Sequence, residues 1–193
     1  MALHTMWAHG TAFSPPEFPT TGLDNVDDVP YTDVIGMRRG PGAFWRGEPG
    51  NGNWFHVSIP TPTIIGGDAV RLRRVFVKYN AGASGSFLPY QAGANITDVQ
   101  AWEGSGRLQQ FGPFPGGQEK FGDHRGALDA DNTFVLSNPP VVTAGIGISV
   151  RVEFPQGSGE PIVQFTAAGA EFDSQSTGFK LVAWFKGWFG GQP

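Results

Sequence analysis

The residues that could support nucleophilic or acid–base chemistry are scattered along this 193-residue chain and form no known catalytic motif. The stretch at 82–86, GASGS, departs from the G-x-S-x-G nucleophile elbow in its last residue, and there is no cysteine. Zinc-protease spacing and glycine-rich phosphate loops are also absent from the sequence. We therefore expect a protein that is not an enzyme, and no catalytic residue is predicted. The chain has four histidines: His4, His9, His56 and His124.

The richest group of oxygen ligands lies in residues 122–132, GDHRGALDADN. Asp123, Asp129, Asp131 and Asn132 are of the residue types that coordinate Ca²⁺, although their spacing does not match an EF-hand loop. An alternative is that Asp129 to Asn132 form an Asx turn that leads into a strand at Thr133. Both interpretations stay open, and Ca²⁺ is the only cofactor considered.

Three tryptophans beside polar residues are candidate platforms for a sugar ring. Trp45 precedes an arginine, Trp102 precedes a glutamate, and Trp54 shares a strand face with His56. Exposed aromatic faces beside planar polar groups suit carbohydrate binding, and a β-sandwich often serves this purpose, which is an analogy of fold. The competing interpretation is that each tryptophan packs in the core.

The last part of the chain is unusually aromatic, because residues 179–189 hold five of the 25 aromatic side chains. As a strand, this segment would have one apolar face and a second face that carries Lys180 and Lys186. As a helix, it would be amphipathic like the helices that lie at membrane interfaces. It would fold back on its own domain, dock on a neighbouring copy, or lie on a membrane surface. The residues expected to form a contact between copies are Phe179, Leu181, Trp184, Phe185, Trp188 and Phe189.

Composition narrows the choice of partners. Only 16% of the residues are charged, the net charge is −4 and the isoelectric point is about 5.5. This balance argues against nucleic-acid binding, and such a sparsely charged surface is poorly protected against self-association. There is no Sec-type signal and no run of 18 apolar residues. Cytoplasmic location is therefore the default expectation, with non-classical export or release left open.

The elements that would position these residues are short strands. In Ile146–Phe154 the alternate residues from Ile146 onward are apolar, while the intervening residues are small or charged. Asn53–Ile59 shows the same alternation, and helical spacing is nearly absent before the aromatic segment at 179–189. Further strands are predicted at Leu3–Ala8, Asp33–Arg38, Arg71–Tyr79, Ile96–Glu103, Arg107–Phe111, Thr133–Ser137 and Ile162–Phe172.

This pattern predicts an all-β fold, a single antiparallel β-sandwich of jelly-roll type. The domain would span residues 1–174, with 11–30 as a proline-rich acidic arm or loop, and 175–193 would be an aromatic C-terminal extension. Within the Arg71–Tyr79 strand, strict alternation places Arg71 and Arg73 on one face and Arg74 on the other.

Four segments together resemble a bacterial family of small single-domain β proteins of unknown function. They are WAHG (7–10), GEPGNGNWFHVSIPTP (47–62), LDADNTFVLS (128–137) and GIGISVRVEF (145–154). The resemblance covers roughly residues 5–172 and implies an all-β domain. It implies no substrate and no catalytic residue.

Three functions follow as hypotheses. The first is a structural protein that self-associates into a homo-oligomer or larger assembly through residues 179–189. The second is a lectin-like carbohydrate-binding module that uses Trp45, Trp54, His56 or Trp102, with or without Ca²⁺. The third is a protein that acts on membrane surfaces through its tail.

Overall fold

The computed structural model describes residues 2–15, 23–24, 37–81, 93–115, 119–156 and 161–174. These residues form thirteen strands and one 3-10 turn, Gly10–Ala12, with no α-helix and hence no helix that could cross a membrane. The strands are β1 (Ala2–His9), β2 (Leu23–Asp24), β3 (Met37–Arg39), β4 (Gly42–Gly47), β5 (Asn51–Ile59), β6 (Ile64–Ile65), β7 (Asp68–Ala81), β8 (Asn95–Glu103), β9 (Gly106–Gln110), β10 (Gly122–Asp123), β11 (Thr133–Val135), β12 (Ile146–Phe154) and β13 (Ile162–Ser174).

Two antiparallel sheets pack face to face, so the predicted all-β sandwich is confirmed. The smaller sheet has the order β5-β12-β8-β9, and the larger, nine-stranded sheet is built around β13. β7 pairs along one side of β13, while β4 and β1 lie end to end along its other side. β6, β10 and β11 pair with β7, and β2 and β3 pair with β4.

The core lies between the inward faces of the two sheets. The five apolar residues of β12, from Ile146 to Phe154, are all buried, as their alternation predicted. They pack with the inward residues of β5 and β8 and with the larger sheet, where Tyr79 and Phe165 are fully buried. Because apolar and polar residues alternate, each strand of the smaller sheet turns its polar residues outward.

β4 is a strand that the sequence pattern did not predict. All six of its residues, Gly42–Gly47, are buried, so the sequence shows no alternation of apolar and polar positions. Its glycines permit close approach, because a Cβ at Gly42 would meet the carbonyl oxygen of Phe165 at 2.0 Å. Gly42 also has a φ of +135°, which glycine adopts without strain.

The predicted arrangement of the arginines on β7 is wrong because of a β-bulge. The register of β7 against β13 shifts beside Arg73, so Arg74 turns to the outward face instead of the opposite one. There its guanidinium lies 2.7 Å from a carboxylate oxygen of Glu171, and Arg73 pairs with Asp173 in the same way. Two of the three arginines are thus paired with carboxylates of β13, while Arg71 donates a hydrogen bond to the carbonyl of Pro139 at 3.1 Å.

The arm at 11–30 and the strand predicted at 33–38 are described only in part. The proposed arm at 11–30 contributes Thr11 to Pro15 and the short strand β2, while 16–22 and 25–30 lie outside the described residues. Likewise, the strand predicted at 33–38 is described only from Met37 onward, as β3. The aromatic extension at 175–193, with all six of its predicted contact residues, lies outside the described residues.

Candidate ligand-binding cleft

The outward face of the smaller sheet carries polar residues in registered rows. β12 is the middle strand, paired with β5 on one side and with β8 on the other, and directly paired residues share a face. Each row therefore takes one residue from each of the three strands. The rows are Ser58–Gly147–Trp102, His56–Ser149–Gln100 and Trp54–Arg151–Asp98.

A cleft of about 380 Å³ opens on the first two of these rows. Gly147 forms its floor, because the absence of a side chain there leaves a gap between Trp102 and Ser58. A Cβ built at Gly147 would approach no atom closer than 3.8 Å, the nearest being the Cβ of Trp102. Trp102, which is half-buried, lies at one side of this gap and Ser58 at the other, while His56 lines the cleft from the next row of β5.

The segment after the 3-10 turn completes the cleft along β5. Ser14 makes two backbone hydrogen bonds with His56, in which each residue donates its N–H to the carbonyl of the other, at 3.0 and 2.8 Å. This bridge places Ala12 and Ser14 among the lining residues. The backbone on which His56 is mounted is therefore held on both edges, by Ser14 and by β12.

His56 and Ser149 form a hydrogen-bonded pair inside the cleft. The Nδ1 of His56 lies 2.8 Å from the Oγ of Ser149, and Ser149 is only 5% exposed. Burial lowers the pKa of His56 below its usual value near 6.5, so the ring is neutral at pH 7. A neutral imidazole has one donor and one acceptor nitrogen, so one of them stays available for a ligand hydroxyl.

Among the residues that the structure describes, none that lines the cleft is charged. The lining consists of hydroxyl, glycine, aliphatic, histidine and tryptophan groups. Asp98, the carboxylate of the third row, is 4% exposed and accepts hydrogen bonds from the Nε2 of Gln110 at 2.5 Å and the backbone N–H of Gly112 at 3.2 Å. Asp98 therefore holds the end of β9 against β8 and is not an acid within the cleft.

Two of the four predicted platform residues line the cleft. His56 and Trp102, which lie 46 positions apart in the sequence, line one cleft. Trp54 is half-buried on the same outward face, one row beyond His56 and opposite Arg151, but it does not line the cleft. The interpretation of Trp45 as a platform is wrong, because it is 3% exposed and its ring packs against Phe55 at 5.4 Å in the core.

Sequence reasoning missed the small residues of this site. Gly147 and Ser149 were assigned correctly to the polar face of β12, and Ser58 to the face of His56, but small side chains carry no chemical signature of a site. Only the pairing of β5 with β12, and of β12 with β8, makes them neighbours of Trp102.

The loop at 123–132 is organised mainly by its own hydrogen bonds. The Oδ1 of Asp129 accepts the backbone N–H groups of Asp131 and Asn132 at 2.8 and 3.1 Å, which is the Asx turn considered above. Asn132 is fully buried, and its amide binds the backbone of Asp129, His124 and Ala127. Asn132 thus holds the loop together, and its role as a cation ligand stays a prediction.

Of the three remaining candidate ligands of this loop, only Asp129 and Asp131 lie together. The Arg125 side chain donates hydrogen bonds to Asp123 and lowers the pKa of that carboxyl, so Asp123 is held apart from the others. Asp129 and Asp131 instead come together with His124, with candidate ligand atoms within 4.8 Å of one another. The Nζ of Lys120 already lies 2.6 Å from the Oδ1 of Asp131 and supplies a positive charge there.

Neither a family model nor a curated protein matches this chain. Its function is therefore inferred from the geometry of the cleft and of the sheet surfaces.

Proposed function

We propose that the protein binds a small, uncharged, hydroxyl-rich ligand of the carbohydrate class in the cleft between Trp102 and the His56–Ser149 pair. The observation that carries this proposal is the meeting of an aromatic wall, a glycine floor and a neutral polar pair in one cleft. Ligand sites are usually concave and combine apolar surface with a few well-placed polar groups.

The chemistry of the lining favours a sugar over an ionic ligand. A pyranose ring has an apolar face of C–H groups that would pack on the indole of Trp102 above Gly147. Its hydroxyls would exchange hydrogen bonds with His56 and with the hydroxyls of Ser14 or Ser58. A charged ligand would find no opposite charge in the lining and would lose its hydration on entry.

The test is a glycan array of neutral oligosaccharides, followed by calorimetric titration with the best-bound sugar. Trp102→Ala should raise the dissociation constant at least tenfold, about 1.4 kcal/mol of binding free energy. Trp7→Ala is the matched control, because Trp7 is also partly exposed but lies on the other sheet. Binding that is equal in both variants, or an array without any neutral ligand, would contradict the proposal.

Self-association through residues 179–189 is a second candidate function. It is favoured by two exposed apolar residues, Leu3 and Trp7, on β1, because the start of β1 pairs with Ser174, the residue that precedes the aromatic extension. Light scattering on the full chain and on a chain that ends at Ser174 tests it. A particle larger than a dimer that loses its size on truncation supports this function, and equal masses for the two chains exclude it.

A further inference from the structure

β1 is an edge strand without the usual protection against pairing. Within the described part of the chain it pairs with β13 on one side, and no described strand lies on its other side. Edge strands normally carry charged residues or prolines, which discourage pairing with another chain. The eight residues of β1, ALHTMWAH, contain neither lysine, arginine, aspartate, glutamate nor proline.

Three of the five exposed residues of β1 are arranged symmetrically about Thr5. Leu3 is 60% exposed and Trp7 is 42% exposed, and the exposed Thr5 lies midway between them on the same face of the strand. Large exposed apolar groups that lie together mark interaction surfaces. An antiparallel copy of the same strand, centred on Thr5, would place Leu3 opposite Trp7 at both ends.

The ring of Trp7 is already held in place before any partner arrives. It contacts the ring of Phe76 with 4.5 Å between centroids, and the Nζ of Lys78 lies 5.4 Å from its centroid. Gly169 lies between the two rings in register and leaves the space for their contact. A side chain that is fixed in advance loses little conformational entropy on binding, which favours its use in an interface.

We propose that two copies of this chain form a two-fold dimer by antiparallel pairing of their β1 strands about Thr5. The pairing joins the two larger sheets into one continuous sheet and brings Leu3 of each copy against Trp7 of the other. A second copy is the occupant that fits, because the edge is uncharged and its apolar residues complement themselves under a two-fold axis. This contact involves neither the cleft nor residues 175–193.

Cysteine cross-linking in the full chain tests the dimer and its register. The protein has no cysteine, so Thr5→Cys introduces a single thiol at the proposed axis. Directly opposed residues of antiparallel strands have Cα atoms about 4.5–5.5 Å apart, which suits a disulfide. Val135→Cys is the control, because Val135 is 66% exposed on β11 of the same sheet.

Mild oxidation should convert Thr5→Cys into a covalent dimer at least fivefold more completely than Val135→Cys. Without cysteine substitutions, light scattering should give twice the 20.6 kDa chain mass, and Trp7→Lys should give the monomer with unchanged circular dichroism. Equal cross-linking of the two cysteine variants would overturn the proposal. So would a monomeric full chain, which would mean that β1 is free or covered by its own chain.

Discussion

The two sheets each carry an aromatic–glycine row on their outward face, and the two rows have opposite outcomes. In the larger sheet the row is Trp7–Gly169–Phe76, and the two rings meet across the glycine. In the smaller sheet the row is Trp102–Gly147–Ser58, and the space above the glycine stays open as the cleft. A tryptophan beside a glycine is thus not enough to make a cleft.

The third residue of the row decides the difference. A Cβ at Gly169 would meet a ring carbon of Phe76 at 2.3 Å and the carbonyl oxygen of Met6 at 2.5 Å, so this gap is full. At Gly147 the equivalent Cβ has only ordinary contacts, because Ser58 is short and exposed. The charges differ as well, since the Arg74–Glu171 ion pair lies in the row next to the closed row, whereas the described groups that line the cleft at the open row are neutral.

The largest effect is expected from opening the closed row. Phe76→Ser removes a fully buried ring and should lower the free energy of unfolding by about 4 kcal/mol, as expected for loss of a buried aromatic ring. Urea denaturation measures this change. Ser58→Ala, at the equivalent position of the open row, should change the stability by less than about 0.5 kcal/mol. Similar losses in both variants would mean that the two rows do not differ in packing.

A methyl group should distinguish the two glycines. Gly169→Ala forces an atom against the backbone of Met6 and against Phe76, and should cost about 3 kcal/mol. Gly147→Ala meets only ordinary contacts and should change the stability by less than about 1 kcal/mol. The measurement is again urea denaturation, and a well-tolerated Gly169→Ala would show that the closed row can relax.

Closing the open row should abolish binding without unfolding the protein. Ser58→Phe copies the third residue of the closed row, so its ring should occupy the space above Gly147. We expect the dissociation constant for a bound sugar to rise at least tenfold, which is about 1.4 kcal/mol, while Ser58→Ala leaves it within threefold. Calorimetric titration checks both variants. Undiminished binding to Ser58→Phe would place the ligand elsewhere.

The pH dependence of stability should report His56, the half-buried histidine in the row next to the open one. The pKa of His56 is lowered by burial, so the unfolded chain binds more protons than the folded one as the pH falls below about 6.5. The contribution of His56 is therefore present above pH 6.5 and is lost as the pH falls through its folded pKa. Urea denaturation at pH 7.5 and 5.0 should show a larger loss for the wild type than for His56→Gln, and equal losses would contradict this prediction.

The smallest effect is expected from salt. Because the described residues that line the cleft carry no charge, sugar affinity should change less than twofold between 0.05 and 0.5 M NaCl. A steep decline with salt would show that the ligand contacts a charged residue outside the cleft, such as Arg107, which pairs with Trp102, or Arg151, which lies in the third row.

Most strands could be predicted because one of their faces is buried and the other is not. β12 has the bounds predicted from its alternation, Ile146–Phe154, and β5 and β8 extend by at most two residues beyond their predicted starts. β4 was not predicted, because all of its residues are buried and its apolar and polar residues therefore do not alternate. Arg74 was placed on the wrong face because a single-residue bulge reverses every assignment beyond it.

The candidate site was predictable only in its large residues. His56 and Trp102 could be recognised by their chemical type, whereas Trp54 lies outside the cleft and Trp45 lies in the core. The sequence by itself determined the all-β class and which residues of β5 and β12 face outward, because strand alternation is a local property. Only the tertiary structure decided that Ser58, Gly147 and Trp102 share a row, because strand order and register depend on contacts between distant segments.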